Sequence, residues 1–188
     1  LPCVVTAADL KSGCEVILSK GSLVDAILAT VAVPGIFPAR MLGEWELVDG
    51  GALDPVPVAA ARILKPDLPV IAVVLTIPMG VPAQSWNLPV PDYFPRQLME
   101  RLTKLRYAQA FDVFLRSLDM VTRAVTEYRL EVDKPEIILR PQVTDIDILE
   151  RVDVHVVVKK GEEIVEVALP EIKKLFTWQS RLRRALGD

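Results

Sequence analysis

A continuous run of apolar and β-branched residues from Val70 to Ile77 constrains the fold of this chain more than any other feature. Strands of a parallel sheet that is covered on both faces carry such uninterrupted runs. Shorter strand-like segments occur at residues 4–8, 15–18, 45–48 and 136–139, with helical patterns between several of them. Strands that alternate with helices predict an α/β sandwich.

Several local signals mark the expected helices. Ser22 is a predicted N-cap, followed by Leu23 at the start of a helix. Asp54 and Pro55 predict the N-cap and first position of a second helix. Apolar residues recur at helical spacing across residues 96–129, which predicts one long helix. The 188 residues are the size of one domain, so we expect a single domain over 1–188.

Composition excludes some classes of protein. The net charge is −3 with acids and bases intermixed, whereas a nucleic-acid partner requires a basic excess. The longest apolar candidate for a membrane span, residues 23–37, is interrupted by Asp25, Pro34 and Gly35. The two cysteines form no CxxC pair and are too few for a disulfide framework. We therefore expect a cytoplasmic protein.

The segment 78–95 differs from the rest of the chain because prolines and aromatic residues are concentrated in it. Proline removes a ladder donor, so this segment is not a central strand. One interpretation is a loop that packs on the core. The other is that Met79, Trp86, Tyr93 and Phe94 line an acyl-chain entrance or touch a membrane interface, where amphipathic rings are favoured.

The candidate for chemistry is Asp49, which follows the apolar strand at residues 45–48 and is followed by Gly50 and Gly51. Binding sites of α/β sheets lie at the carboxyl ends of strands. The two glycines allow a positive φ and a close approach of the backbone. A partly desolvated carboxylate has a raised proton affinity, which suits a general base. An Asp-Gly-Gly triplet alone also marks ordinary turns.

Other polar residues have structural interpretations. Asp9 ends a strand before a hairpin and is expected to form an Asx turn. His155, the single histidine, lies among valines without neighbouring residues at metal-ligand spacing. We therefore expect no metal site.

The residues from Ala29 to Pro57 carry a resemblance. The Ala29–Pro38 segment, Asp49-Gly50-Gly51 and Asp54-Pro55 resemble the A-S-x-x-x-P-x-x-F-P, D-G-G and N-P elements of the patatin-like phospholipase family, particularly of its bacterial members. Thr30 stands where that family usually has serine, and Asp54 where it usually has asparagine. The resemblance implies a three-layer α/β/α sandwich related to the α/β-hydrolases, with the beginning of the fold missing.

The resemblance further implies a lipid acyl hydrolase that uses a Ser–Asp dyad, with Asp49 as the aspartate, Gly50 and Gly51 as supporting backbone, and no cofactor. None of the six serines has glycines two residues away on both sides, so a G-x-S-x-G elbow is absent from the chain. We expect the nucleophile upstream, and this chain alone to be inactive. Two alternatives are a second polypeptide that supplies the missing half, and a non-catalytic scaffold that has lost its nucleophile. The expected partners are a lipid or other ester substrate, the missing N-terminal segment and a peripheral membrane surface.

Overall fold

The computed structural model describes residues 2–81, 106–144, 146 and 151–177. Its elements in chain order are β1 (Val5–Asp9), β2 (Glu15–Leu18), α1 (Leu23–Thr30), β3 (Arg40–Leu42), β4 (Trp45–Asp49), a 3-10 turn (Gly50–Ala52), α2 (Val58–Leu64), β5 (Ile71–Val73), α3 (Arg106–Asp133), β6 (Ile137–Leu139) and α4 (Val154–Leu175). The mixed α/β class expected from the sequence is confirmed.

The first sheet has the strand order β2-β1-β4-β3, and every pair in it is antiparallel. β1 and β2 form a hairpin whose turn contains Gly13 with a φ of +69°, a conformation that glycine adopts without steric cost. Helix α1 packs Ala26 and Ala29 against Ala7 and Leu47 of this sheet. As expected, Ser22 caps α1, and its Oγ accepts a hydrogen bond from the N–H of Asp25 at 3.3 Å.

The second sheet consists of β5 and β6, which pair in parallel. β5 spans only Ile71–Val73, because its hydrogen-bonded partner β6 is also three residues long. One further hydrogen bond joins the Val74 N–H to the Leu139 carbonyl at 2.8 Å. The buried side chains of this region form a second core cluster: Val56, Val58, Val70, Ala72, Val74 and Leu130. Val73 and Leu75 remain 54% and 64% exposed, so the described residues do not cover both faces of this sheet.

The expected role of Asp54 as a helix N-cap is wrong. Helix α2 begins at Val58, and the residue before it, Pro57, provides no side-chain cap. A residue that precedes proline is disfavoured in the α region, which applies both to Asp54 before Pro55 and to Val56 before Pro57. The chain therefore remains non-helical until the second proline has been passed.

The long helix expected over 96–129 is described from Arg106 and ends at Asp133, while residues 96–105 lie outside the described part of the chain. The proline-rich segment lies outside it too from residue 82 onward. α4 begins at Val154, although the residues from Val154 to Val158 are largely β-branched, a composition typical of strands. The Asp153 carboxylate accepts a hydrogen bond from the His155 N–H at 2.9 Å. No helix in the described ranges is both long and apolar enough to cross a membrane.

Candidate active site

Asp49 is the last residue of β4, and the backbone on either side of it is fixed by hydrogen bonds. Its N–H donates to the Ala32 carbonyl at 3.0 Å. Its carboxylate Oδ1 accepts from the Gly51 N–H at 2.8 Å, which makes Asp49 the cap of the 3-10 turn that follows. The carboxylate is therefore held by the turn it initiates, at the carboxyl end of a strand in an antiparallel sheet.

Gly50 and Gly51 have different structural roles, and neither adopts a positive φ, contrary to expectation. A Cβ on Gly50 would lie 2.6 Å from the carbonyl oxygen of Thr6, so glycine is required for the close approach of the turn to β1. A Cβ on Gly51 would lie 3.2 Å from Asp49 Oδ1. The close approach is thus to a neighbouring strand and to the carboxylate itself.

Asp49 lines a cavity of about 300 Å³, together with Gly51 and Ala52 of the turn. Most of the wall is apolar and comes from three parts of the chain: Val33 and Pro34 after α1, Leu75 and Ile77 after β5, and Leu118 of α3. Small-molecule sites are typically concave, apolar and furnished with a few polar groups. The cavity brings the Pro34 segment and Asp49, which lie apart in sequence, to one place.

Burial raises the pKa of the Asp49 carboxyl above its ordinary value, and the hydrogen bond from Gly51 opposes this shift. Desolvation disfavours the charged form of a carboxyl group, whereas a donated N–H favours it. A carboxylate of raised proton affinity in an apolar cavity is suited to accept a proton from a hydroxyl group.

A second polar group lines the same cavity and was not identified from the sequence. Arg123 of α3 is 5% exposed, and its Nη2 lies 2.7 Å from Asp119 Oδ2. Its Nη1 donates to the Val81 carbonyl at 2.9 Å. The only feature of the sequence that points to Arg123 is its spacing of four residues from Asp119. That spacing is also typical of an ordinary solvent-exposed ion pair on a helix, so it does not indicate a site.

Other residues considered from the sequence lie elsewhere. Asp9 forms the expected Asx turn, with its carboxylate accepting from the N–H groups of Lys11 and Ser12 at 3.4 and 3.0 Å. His155 is exposed at the start of α4. Within the described residues, the cavity wall contains no serine, cysteine or histidine, and no group of three or more His, Cys, Asp or Glu is arranged to hold a metal ion.

An acidic cluster around the buried Asp54 lies outside the cavity wall. Burial raises the pKa of Asp54, which is 2% exposed; Arg129, 3.8 Å away, opposes the shift. Burial, with the negative charge of Asp54 nearby, also raises the pKa of Glu15. The cluster joins β2, the segment before α2 and helix α3, and Asp133 is its third acid.

The geometry places the Ala29–Pro38 segment, Asp49 and its two glycines in one unit. A family model described as patatin-like phospholipase matches residues 9–62, which contain this whole unit. The resemblance to the patatin-like phospholipase family is confirmed over these residues. The patatin-like match thus covers the first sheet from the end of β1, together with α1 and the first five residues of α2.

Relatives of the chain are found in mycobacteria. It is 30% identical over 166 residues to an uncharacterised NTE family protein of Mycobacterium tuberculosis, a match that covers 87% of this chain and 28% of that protein. A protein of the same description from Mycobacterium bovis matches equally. A second NTE family protein of Mycobacterium tuberculosis is 37% identical over 85 residues, or 45% of this chain and 23% of that protein. The chain therefore spans about a quarter of the length of these relatives.

Proposed function

We propose that the complete protein is a serine acyl hydrolase of the phospholipase A or esterase type, active in lipid degradation. In this proposal Asp49 is the base of a Ser–Asp dyad, and the serine lies in an upstream part of the protein. The observation that carries the proposal is a half-buried carboxylate of raised pKa in an apolar-walled cavity. The match of residues 9–62 to the patatin-like phospholipase family supports hydrolysis of lipid esters.

The proposed reaction proceeds in two steps. The serine hydroxyl attacks the ester carbonyl and transfers its proton to Asp49, the role that histidine has in a Ser-His-Asp triad. Because the Gly51 N–H holds Oδ1, we assign this proton to Oδ2. Asp49 then protonates the departing alcohol, and an acyl-serine ester remains.

In the second step, water attacks the acyl-serine while Asp49 accepts the proton of the water. Collapse of the tetrahedral intermediate returns the proton to the serine and releases the fatty acid. Backbone amides of the upstream segment stabilise the oxyanion in both steps. The sequence of steps uses no metal and no organic cofactor.

The nucleophile segment is proposed to cover apolar surface that the described residues leave exposed. Leu23, Val24 and Leu28 of α1 are 60%, 65% and 45% exposed, and Val73 of β5 is 54% exposed. Parallel strands are rarely left uncovered on a face. The greater length of the mycobacterial relatives leaves room for such a segment. With it in place, the fold is the three-layer α/β/α sandwich of the patatin type, of which this chain is the C-terminal part.

We also propose a cytoplasmic location with peripheral contact to membranes. Cys3 and Cys14 are both free and exposed, and free thiols persist in reducing compartments. The lipid substrate supplies the reason for contact with a membrane surface.

The test is labelling by a fluorophosphonate probe of the protein expressed from its complete gene. We compare wild type with Asp49→Asn, and use Asp25→Asn as the control because Asp25 forms a surface ion pair with Arg40 at 2.6 Å away from the cavity. We expect labelling of an upstream serine in wild type and in Asp25→Asn, and a loss of about 100-fold or more in Asp49→Asn.

The other outcomes assign the protein differently. Equal labelling of all three proteins would leave a serine hydrolase but remove Asp49 from its mechanism. Absence of labelling in the folded full-length protein would favour the non-catalytic scaffold.

A further inference from the structure

We propose that the cavity beside Asp49 selects an uncharged acyl ester and discriminates against ligands that carry a phosphate or carboxylate group on the part that enters it. The inference rests on the proposed function for the reaction, but the selection itself is a property of the cavity and is measurable by binding alone.

The charges on the cavity wall carry the argument. Among the described residues, the charged groups that line the cavity are Asp49, Asp119 and Arg123. The Arg123 guanidinium lies 2.7 Å from Asp119, so its positive charge is compensated. The Asp49 carboxylate, which must be ionised to act as a base, then remains as the uncompensated charge. An anion brought into an apolar cavity is repelled by that charge and also loses its hydration.

The hydrogen-bonding groups of the wall favour a neutral oxygen instead. Arg123 Nε and Thr76 Oγ1 are both buried, and neither has a hydrogen-bond partner in the described part of the chain. Both residues line the cavity. Neither atom is exposed at the cavity surface, but buried donors are nearly always satisfied in folded proteins. A neutral acceptor that reaches them through a small shift of the Thr76 or Arg123 side chain would therefore be stabilised. An ester, ether or hydroxyl oxygen supplies an acceptor without adding charge.

Asp119 is therefore the residue that sets the selectivity, because its carboxylate is what compensates Arg123. Replacement by asparagine would leave the buried guanidinium uncompensated on the cavity wall. A buried cation without its partner is costly, and an anionic ligand would relieve that cost. The variant should consequently admit a phosphate group that the wild type rejects.

The experiment measures binding of two non-hydrolysable ligands of equal chain length to the full-length protein. The ligands are 1-O-octylglycerol and octyl phosphate, titrated calorimetrically below their micelle concentrations at a pH where Asp49 is ionised. We expect wild type to bind octylglycerol about tenfold or more tightly than octyl phosphate. In Asp119→Asn, the affinity for octyl phosphate relative to octylglycerol should rise by about tenfold.

Two further variants control the experiment. Asp112 forms the same type of ion pair with Arg116 on α3, also four residues apart, but does not line the cavity. Asp112→Asn should therefore keep the wild-type preference. Asp119→Glu, which retains the charge, should keep it as well. If Asp119→Asn fails to fold, the preference of the wild-type protein between the two ligands remains the test.

Binding of octyl phosphate to wild type as tightly as octylglycerol, or equal behaviour of Asp119→Asn and Asp112→Asn, would overturn the inference. The ligands require no turnover, so this result is independent of fluorophosphonate labelling. A protein that is not labelled but retains the preference would contradict the proposed hydrolase and leave the selectivity intact. A labelled protein that prefers octyl phosphate would support the proposed hydrolase and contradict the selectivity.

Discussion

The backbone N–H of Asp49 donates a hydrogen bond to the carbonyl of Ala32 at 3.0 Å. This contact fixes the end of β4 to the segment that follows α1, and the next two residues of that segment, Val33 and Pro34, line the cavity beside the carboxylate. The Ala29–Pro38 segment and the Asp-Gly-Gly triplet are therefore two parts of one site. A substitution that displaces either part should affect the other.

Gly50→Ala should lower the stability of the protein by about 1–3 kcal/mol, the usual cost of overpacking. The added Cβ would lie 2.6 Å from the carbonyl oxygen of Thr6, and backbone cannot move aside as a flexible side chain does. The measurement is the free energy of unfolding from denaturant titration. Gly161→Ala is the matched control, because its Cβ would have no neighbour within 4 Å and alanine favours a helix by up to about 1 kcal/mol. Equal effects of the two substitutions would contradict this account of Gly50.

Gly51→Ala should reduce the rate of ester hydrolysis by about tenfold while leaving the protein folded. The added Cβ would lie 3.2 Å from Asp49 Oδ1, so the carboxylate must shift by a few tenths of an ångström, although the N–H that holds it is retained. The measurement is kcat/KM of the full-length protein on a soluble ester, with the unfolding midpoint recorded in parallel. An unchanged kcat/KM would mean that the carboxylate position is not critical.

The pH dependence of hydrolysis should report the pKa of Asp49. Burial raises this pKa, so the acid limb of the kcat/KM profile should lie above the pH range in which an exposed aspartate titrates. Gly51→Ala should move the acid limb to still higher pH, because the displaced carboxylate is held less well by the Gly51 N–H, and that hydrogen bond lowers the pKa of Asp49. An acid limb at the ordinary aspartate pKa would remove Asp49 from the base role.

The same raised pKa has a consequence for stability. A carboxyl whose pKa is higher in the folded than in the unfolded state binds its proton more tightly when folded, so stability falls as pH rises through the folded pKa. At neutral pH the ionised Asp49 therefore opposes folding, and Asp49→Asn should unfold at a higher denaturant concentration than wild type. At a pH below the unfolded pKa the difference should disappear.

Asp9 should show the opposite dependence. The hydroxyl of Ser12, followed by the N–H of Glu46, lowers the pKa of Asp9 to about 2. Its carboxylate accepts from these two donors at 2.6 and 2.9 Å. A depressed pKa contributes stability above the unfolded pKa that is lost as pH falls through the folded value. Asp9→Asn should thus be destabilised at neutral pH, with the difference from wild type vanishing as pH falls from about 4 towards 2.

Ser12→Ala is the matched test for Asp9, because it removes the largest cause of the low pKa while leaving the carboxylate in place. The pKa of Asp9 measured by NMR titration should rise in this variant. A carboxyl resonance that titrates at the same pH in wild type and Ser12→Ala would contradict the assignment of the hydroxyl as the main cause.

The sequence determined the elements whose signals are local. The hairpin strand at Glu15–Leu18 and the cap at Ser22 agree with the structure because turn geometry and side-chain capping involve residues only a few positions apart. The position of Asp49 at the end of a strand followed from the same kind of signal. α4 begins at Val154 in a β-branched stretch, because β propensity is a weak and context-dependent preference.

The tertiary structure decided everything that depends on partners distant in sequence. β5 is shorter than its apolar run because β6 offers only three residues for pairing, and Asp54 is a buried acid instead of a cap because two prolines delay α2. The sequence presents Arg123 and Asp119 as an ordinary surface pair on one helix. In the structure, α3 packs against the residues that follow β5, and Arg123 is buried there with a hydrogen bond to the Val81 carbonyl. Packing, unlike propensity, joins residues regardless of their separation in the chain, and for that reason only the fold could bring Asp49, Thr76 and Arg123 to one cavity.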